Sequence, residues 1–255
     1  DPSTTTSGPP PTDEHVRGDD NVVILRADTV PTGPTTHEAE LSIVTSAVDR
    51  RTARRGIYVA APCSNDLVKV SPDDDRDYSW ATWVNGGTKI LFTARSGPSG
   101  VNEPIYWMDR DGSNVELLLD TGQRLGQPKM SKDGRTILFS AVVAGSVVTN
   151  LIKWDLATGA LTNLSAATGG QLDSDPRFTP DGQSVVFIDS YSRENNDVGP
   201  GEVALMDTTG QQRSIVTDDN LYDTDPDVGP EGGVVIARYL GEGPPSASDP
   251  DNPFQ

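Results

Sequence analysis

Side chains able to transfer protons, bind metals or attack electrophiles are few in this chain of 255 residues, and they are unevenly placed. The two histidines, His15 and His37, precede every repeated segment, and the single cysteine, Cys63, lies between Pro62 and Ser64 with no histidine nearby in sequence. A histidine-built metal centre or a serine–histidine–acid triad within the repeats is therefore excluded. Neither the nucleophile-elbow pattern Gly-x-Ser-x-Gly nor a glycine-rich phosphate loop is present. One cysteine permits no disulfide within the chain, so burial and hydrogen bonds must hold the fold, and Cys63 reads as a structural residue. Carboxylates are what remains, above all Asp218, Asp219, Asp223, Asp225 and Asp227. Alternation puts Asp223, Asp225 and Asp227 on one face of an extended strand, about 6.5 to 7 Å apart in succession. These three are the candidate cation ligands, and calcium is the ion such an all-oxygen set would take. No other cofactor is expected. A competing reading is that Asp173 and Asp175 occupy the same slots one repeat earlier, and features repeated from unit to unit belong to turn or capping chemistry.

The formal charge of -18, with only 20 basic residues, disfavours nucleic acid or an anionic lipid surface as partner. The one basic cluster is Arg50-Arg51-Thr52-Ala53-Arg54-Arg55, which could grip an anion but reads as a solvated loop between strands. No apolar run approaches the roughly 20 residues needed to cross a bilayer, and no signal-peptide core is seen. Residues 1–20 form a Ser/Thr/Pro-rich extended leader. Such leaders commonly follow an export signal or a lipid anchor, and a start at Asp1 rather than Met suits a processed chain. The expected location is accordingly secreted, periplasmic or cell-surface.

The elements that must position any site come from an internal repeat. Asp173 to Phe187 reads Asp-Ser-Asp-Pro-Arg-Phe-Thr-Pro-Asp-Gly-Gln-Ser-Val-Val-Phe, and weaker copies precede and follow it. Its Pro180-Asp181-Gly182 is turn chemistry: proline presets φ, aspartate bonds nearby backbone, and glycine takes the positive φ. Apolar runs on both sides make the segment a hairpin. Phe92, Phe139 and Phe187 recur at intervals of 47 and 48 residues, and the third strands of the units place Trp107, Trp154 and Met206 in or beside one corresponding slot. Four-stranded meanders repeating every 47 to 50 residues require a radial or stacked all-β array. The expected domains are the leader 1–20, a repeat domain 21–240 and a Pro-rich tail 241–255.

The unit Asp-x-Asp-Pro-x-Phe-x-Pro-Asp-Gly, followed by a Val-Val-Phe strand and a later Met-Asp strand end, resembles the TolB-like β-propeller repeat, a relative of WD-type repeats. The resemblance covers Leu41 to Tyr239. It is carried by Asp175, Pro176, Phe178, Pro180, Asp181, Gly182 and Phe187, and again by Ile105, Tyr106, Met108, Asp109, Asp111 and Gly112. The first unit lacks the turn signature, and in the fifth Val228 and Glu231 stand where Phe and Asp are expected. The resemblance implies four-stranded antiparallel blades around a central channel, with about five units in this chain and binding surfaces on the ring faces. It does not fix an activity, because propellers serve as scaffolds, lectins, lyases and protease gates. The absence of histidine from the repeats separates the chain from the TolB-related pectate-fragment lyases, whose metal sites are rich in histidine.

The expected function is an exported, non-enzymatic propeller acting as a protein-binding or assembly scaffold, with no catalytic residue. The alternative is a propeller that binds or cleaves carbohydrate with acidic residues at the channel mouth. Strand counting adds an expectation about the ends: the fifth unit has only two strands, and Asn21 to Arg26 is the one strand-like segment left over. Five complete blades cannot be made from this chain alone. Either the native polypeptide continues into a larger ring, or another chain adds strands, giving a protein partner or self-assembly through the termini.

Overall fold

A computed structural model describes residues 42–49, 52–60, 67–97, 101–142, 148–166, 172–192, 198–219 and 221–239. The leader, the strand expected at Asn21 to Arg26, the tail 241–255, His15, His37 and Cys63 lie outside the described residues.

Antiparallel meanders account for nearly all the secondary structure. The first unit contains β1 (Ile43–Asp49), β2 (Arg54–Ala60) and β3 (Leu67–Lys69) in that order. The second is complete, with β4 (Arg76–Val84), β5 (Lys89–Ser96), β6 (Ile105–Asp109) and β7 (Glu116–Leu119). The third has β8 (Leu125–Met130), β9 (Thr136–Val142), β10 (Thr149–Asp155) and β11 (Leu161–Asn163). The fourth has β12 (Leu172–Phe178), β13 (Ser184–Ser192), β14 (Val198–Asp207) and β15 (Ser214–Ile215). The fifth is the hairpin of β16 (Tyr222–Val228) and β17 (Val234–Tyr239). One parallel bridge, Thr149 to Leu172, joins the third unit to the fourth. This is a β-propeller, and its only described helix is the single 3-10 turn at Asn85–Gly87.

The blades stack through apolar faces that alternate along each second strand, since successive residues of a strand point to opposite sides. On β5, Ile90 and Phe92 pack toward the first blade, whereas Leu91 faces the third and meets Ile137 and Phe139 of β9. Leu138 faces the other way, into a cluster with Val185 and Phe187, and Val186 and Ile188 then turn toward the fifth hairpin. Phe92, Phe139 and Phe187 are thus equivalent and fully buried. Each contributes about 1.5 to 3 kcal/mol by burial. In the third-strand slot, register equates Met108, Trp154 and Met206, each paired with the residue two before the phenylalanine. Trp107 is the neighbour of that slot and points to the next blade.

The turns behave as their chemistry requires. In the fourth blade the Thr179 hydroxyl lies 2.6 Å from Asp181 Oδ1, which also accepts from the Gln183 amide at 3.0 Å, while Gly182 closes the turn with φ 70. The Thr179 contact and then the amide bond hold the Asp181 carboxyl below the usual carboxylate range. A second device ties β2, β10 and β14 to the segments that follow β3, β11 and β15. The amides of Ile57, Leu151 and Val203 donate to the hydroxyls of Ser71, Ser165 and Thr217, each fourteen residues later, at 3.1, 2.9 and 2.8 Å.

The arginine run is described only in part: Arg50 and Arg51 lie outside the described residues, and the expected loop gives way to strand at Arg54. Arg54 and Arg55 are the first residues of β2, paired across the ladder with Asp49 and Val48, and the chain turns at Thr52 and Ala53 instead.

Candidate channel-mouth site

In the second to fifth blades the first strand is the innermost: β4 contacts β8, β8 contacts β12, and β12 contacts β16. Each carries a bulge at the same place. Register shifts fall between Ser79 and Thr82, Gly126 and Lys129, Ser174 and Arg177, and Thr224 and Asp227. At the bulge one residue takes a left-handed backbone, namely Trp80 (φ 58), Gln127 (φ 51), Asp175 (φ 51) and Asp225 (φ 47). A bulge bends the strand and re-aims the side chains beside it. In three of the four blades proline follows, as Pro128, Pro176 and Pro226, and a residue without an amide N–H loses little where the ladder is interrupted. The repeated Asp-Pro of the fourth and fifth blades is therefore bulge chemistry on the innermost strands.

Four inner strands and two positions per bulge define the site. The bulge residues are Trp80, Gln127, Asp175 and Asp225; two residues on stand Thr82, Lys129, Arg177 and Asp227. Asp175 is buried, and its carboxyl is pushed up to about 6 by burial first and by the neighbouring Asp225 second, against the pull of Arg177 and Lys129. The Lys129 amine is pulled down to about 7, again by burial first and then by the like charge of Arg177, opposed by Asp175, Asp227 and Asp225. Among the described residues it forms no hydrogen bond and no close ion pair. Arg177 Nε lies 3.9 Å from Asp227 Oδ1, a loose contact to a carboxylate that is largely exposed. Gln127 is fixed by the Ser140 hydroxyl, 2.5 Å from its Oε1.

The three aspartates expected to share a strand face do not share one environment, because the bulge at Asp225 breaks the alternation. Asp223 is buried and turned to Arg238, whose Nε lies 2.6 Å from Oδ1 and whose second terminal nitrogen lies 2.9 Å from Oδ2; Thr217 adds a contact at 2.8 Å. Asp225 sits at the bulge beside Asp175, and Asp227 reaches toward Arg177. Among the described residues no group of three or more His, Cys, Asp or Glu is arranged to hold a metal ion. Asp173, the equivalent of Asp223, holds Arg213 through two bonds of 2.9 and 3.0 Å, and Arg213 also pairs with Asp189 and lies 4.7 Å over the Phe187 ring. Asp173 and Asp223 thus clamp guanidinium groups and are structural.

Comparison with known proteins supports the same architecture. Over 115 residues the chain is 30% identical to the Tol-Pal system protein TolB of Francisella tularensis subsp. mediasiatica, a match covering 43% of this chain and 26% of that protein. Among solved structures it resembles TolB from Acinetobacter baumannii, with TM-score 0.61 and 18% identity over 76% of this chain and 46% of that one. It also resembles a putative TolB from Agrobacterium tumefaciens, with TM-score 0.60 and 21% identity over 78% and 71%. The repeats are TolB-like β-propeller repeats. No family model matches the chain. The TolB-like chain spans only about a quarter of the length of the curated relatives it matches.

Sequence reading of the TolB-like units reached Asp175, Asp225 and Asp227 but passed over Trp80, Gln127, Lys129 and Arg177. The signal was available: Lys129, Arg177 and Asp227 fall at intervals of 48 and 50, two residues after their bulges. Residue type concealed it, since a lysine, an arginine and an aspartate do not look like one position.

Proposed function

We propose that this chain is the propeller of an exported, non-enzymatic scaffold that binds a protein partner at the channel mouth. The observation that carries the reading is the half-buried Lys129 amine on an inner strand, within electrostatic reach of Arg177, Asp175, Asp225 and Asp227 and, among the described residues, without a hydrogen bond or close ion pair of its own. Charges of both signs set on rigid strands suit recognition of a polypeptide segment that brings complementary charges, giving orientation and specificity. Similarity to proteins of the Tol-Pal system supports a periplasmic setting and a protein partner from such a system. The β17 strand supports assembly as well: among the described residues its outer edge has no partner strand, and Val235 is exposed. An added strand there, from the rest of the polypeptide or from another chain, would complete the fifth blade. The test is calorimetric titration of the purified chain with the Pal component of a Tol-Pal system. Micromolar binding is expected, weakened at least tenfold by Lys129→Glu together with Arg177→Glu. Binding untouched by that double substitution would overturn the channel-mouth assignment.

A second reading is favoured by one observation, the Asp175 carboxyl raised to about 6 beside a cationic group. Such a carboxyl is poised for general acid catalysis on a glycosidic bond. Incubation with a panel of soluble polysaccharides distinguishes the two: release of fragments abolished by Asp175→Asn would establish carbohydrate chemistry, and intact polymers would favour binding alone.

A further inference from the structure

A cavity of about 290 Å³ opens between the first and second blades, away from the inner-strand bulges, and its lining inverts the character of the chain. Against a formal charge of -18 overall, it gathers Arg54, Arg55, Lys69 and Arg76 around three carboxylates, Asp49, Asp73 and Asp74. The cations arrive from three strands, β2, β3 and β4, so their convergence is made by the fold rather than by one run of sequence.

The cations differ in how firmly they are engaged. Arg76 is fixed: its guanidinium lies 2.7 Å from Asp74 Oδ2 and 5.3 and 5.5 Å from the ring centroids of Tyr78 and Tyr106. Tyr78 in turn holds Asp74 through its hydroxyl, 2.9 Å from Oδ2. Lys69 meets Asp73, whose side chain is 91% exposed and therefore screened by water. Arg54 donates to the carbonyl oxygen of Asp75 and has no carboxylate partner among the described residues. Its remaining donors form a planar fork at the cavity. The floor is kept open by Gly56, which is buried; a Cβ there would stand 3.1 to 3.2 Å from Lys69 Cε, Ser71 Oγ and Tyr58 Cε2.

We propose that this cavity binds a compact oxyanion, a carboxylate or a phosphate group, seated on the Arg54 fork between Lys69 and Arg76. A guanidinium matches either group with two parallel hydrogen bonds, and an ammonium adds a point charge. The fixed Arg76 shapes the site, whereas the weakly held Lys69 is free to turn from Asp73 to the ligand. A volume of about 290 Å³ has room for one such group.

The experiment is an amide-resolved NMR titration of the chain with inorganic phosphate, with malonate and with chloride at matched ionic strength. Saturable shifts at Gly56, Ile57 and Tyr58 are expected with phosphate, malonate or both, and the anion that saturates first identifies the chemistry. Arg54→Gln should weaken that binding about tenfold with the melting temperature retained. Gly56→Ala, which crowds the floor, should abolish it. Shifts that rise without saturation and are matched by chloride, or binding that survives both substitutions, would overturn the proposal.

Discussion

Gly112 touches the backbone of the preceding blade: a Cβ placed on it would collide with the carbonyl oxygen of Val70. The turn between β6 and β7 therefore seats directly on the end of the first blade, and φ of 87 at Gly112 is only part of its constraint. Gly210 repeats the arrangement two blades on, with Leu164 O 2.5 Å from the corresponding point. Gly159, at the equivalent turn of the third blade, has φ 73 and open space around it.

That contrast separates backbone strain from blade packing. Gly159→Ala should cost about 1 to 2 kcal/mol, the left-handed penalty alone. Gly112→Ala should cost that plus a steric term of about 1 to 3 kcal/mol, because backbone atoms cannot yield as a side chain can. Chemical denaturation of the two variants checks the order, and equal losses would mean that the blade contact does not constrain Gly112.

Arg213 neutralises two buried carboxylates, Asp173 and Asp189, the second of which keeps one oxygen without a hydrogen bond. Burial raises the Asp189 carboxyl in spite of the opposing Arg213. Arg213→Met leaves both acids uncompensated and should destabilise by about 3 to 5 kcal/mol. Adding Asp173→Asn and Asp189→Asn should restore part of that loss, a recovery readable from urea midpoints; its absence would show that the arginine acts by packing on Phe187 alone.

The pH dependence follows from Asp175 and Lys129. Asp175 has its folded value raised to about 6 from 3.8, so its contribution is fully present below about pH 4 and is lost as pH rises through 6. Lys129 has its folded value lowered to about 7 from 10.5, so its contribution is present above about pH 10.5 and is lost as pH falls through 7. Both are least favourable between about pH 6 and 7. Asp175→Asn, which keeps a side chain tolerant of the left-handed bulge, should remove the acid limb and stabilise the chain at pH 7 by about 1 to 3 kcal/mol. A stability profile from pH 4 to 8 that is unchanged by the substitution would contradict this.

The turns and buried phenylalanines were legible because their chemistry is local and repeats in register: Pro180-Asp181-Gly182 specifies a turn wherever it stands, and Phe187 announces a core slot by its interval from Phe139. The bulges were not legible, since the left-handed conformation of Gln127 or Trp80 depends on the neighbouring strand and leaves no mark in residue type. Period-two reasoning consequently placed Asp223, Asp225 and Asp227 on one face when the bulge divides them. Arg54 and Arg55 were hidden for a similar reason, as their cavity is completed by Lys69 and Arg76 from other strands.

The central claim is that the inner-strand bulges form a partner-binding mouth, and hydrogen–deuterium exchange of the chain, alone and saturated with the Pal component, tests it most directly. Protection concentrated around Gln127 to Lys129, Asp175 to Arg177 and Asp225 to Asp227 is the expected result. Protection confined to the outer strands β7, β11 and β15, with the bulges exchanging as in the free chain, would contradict it.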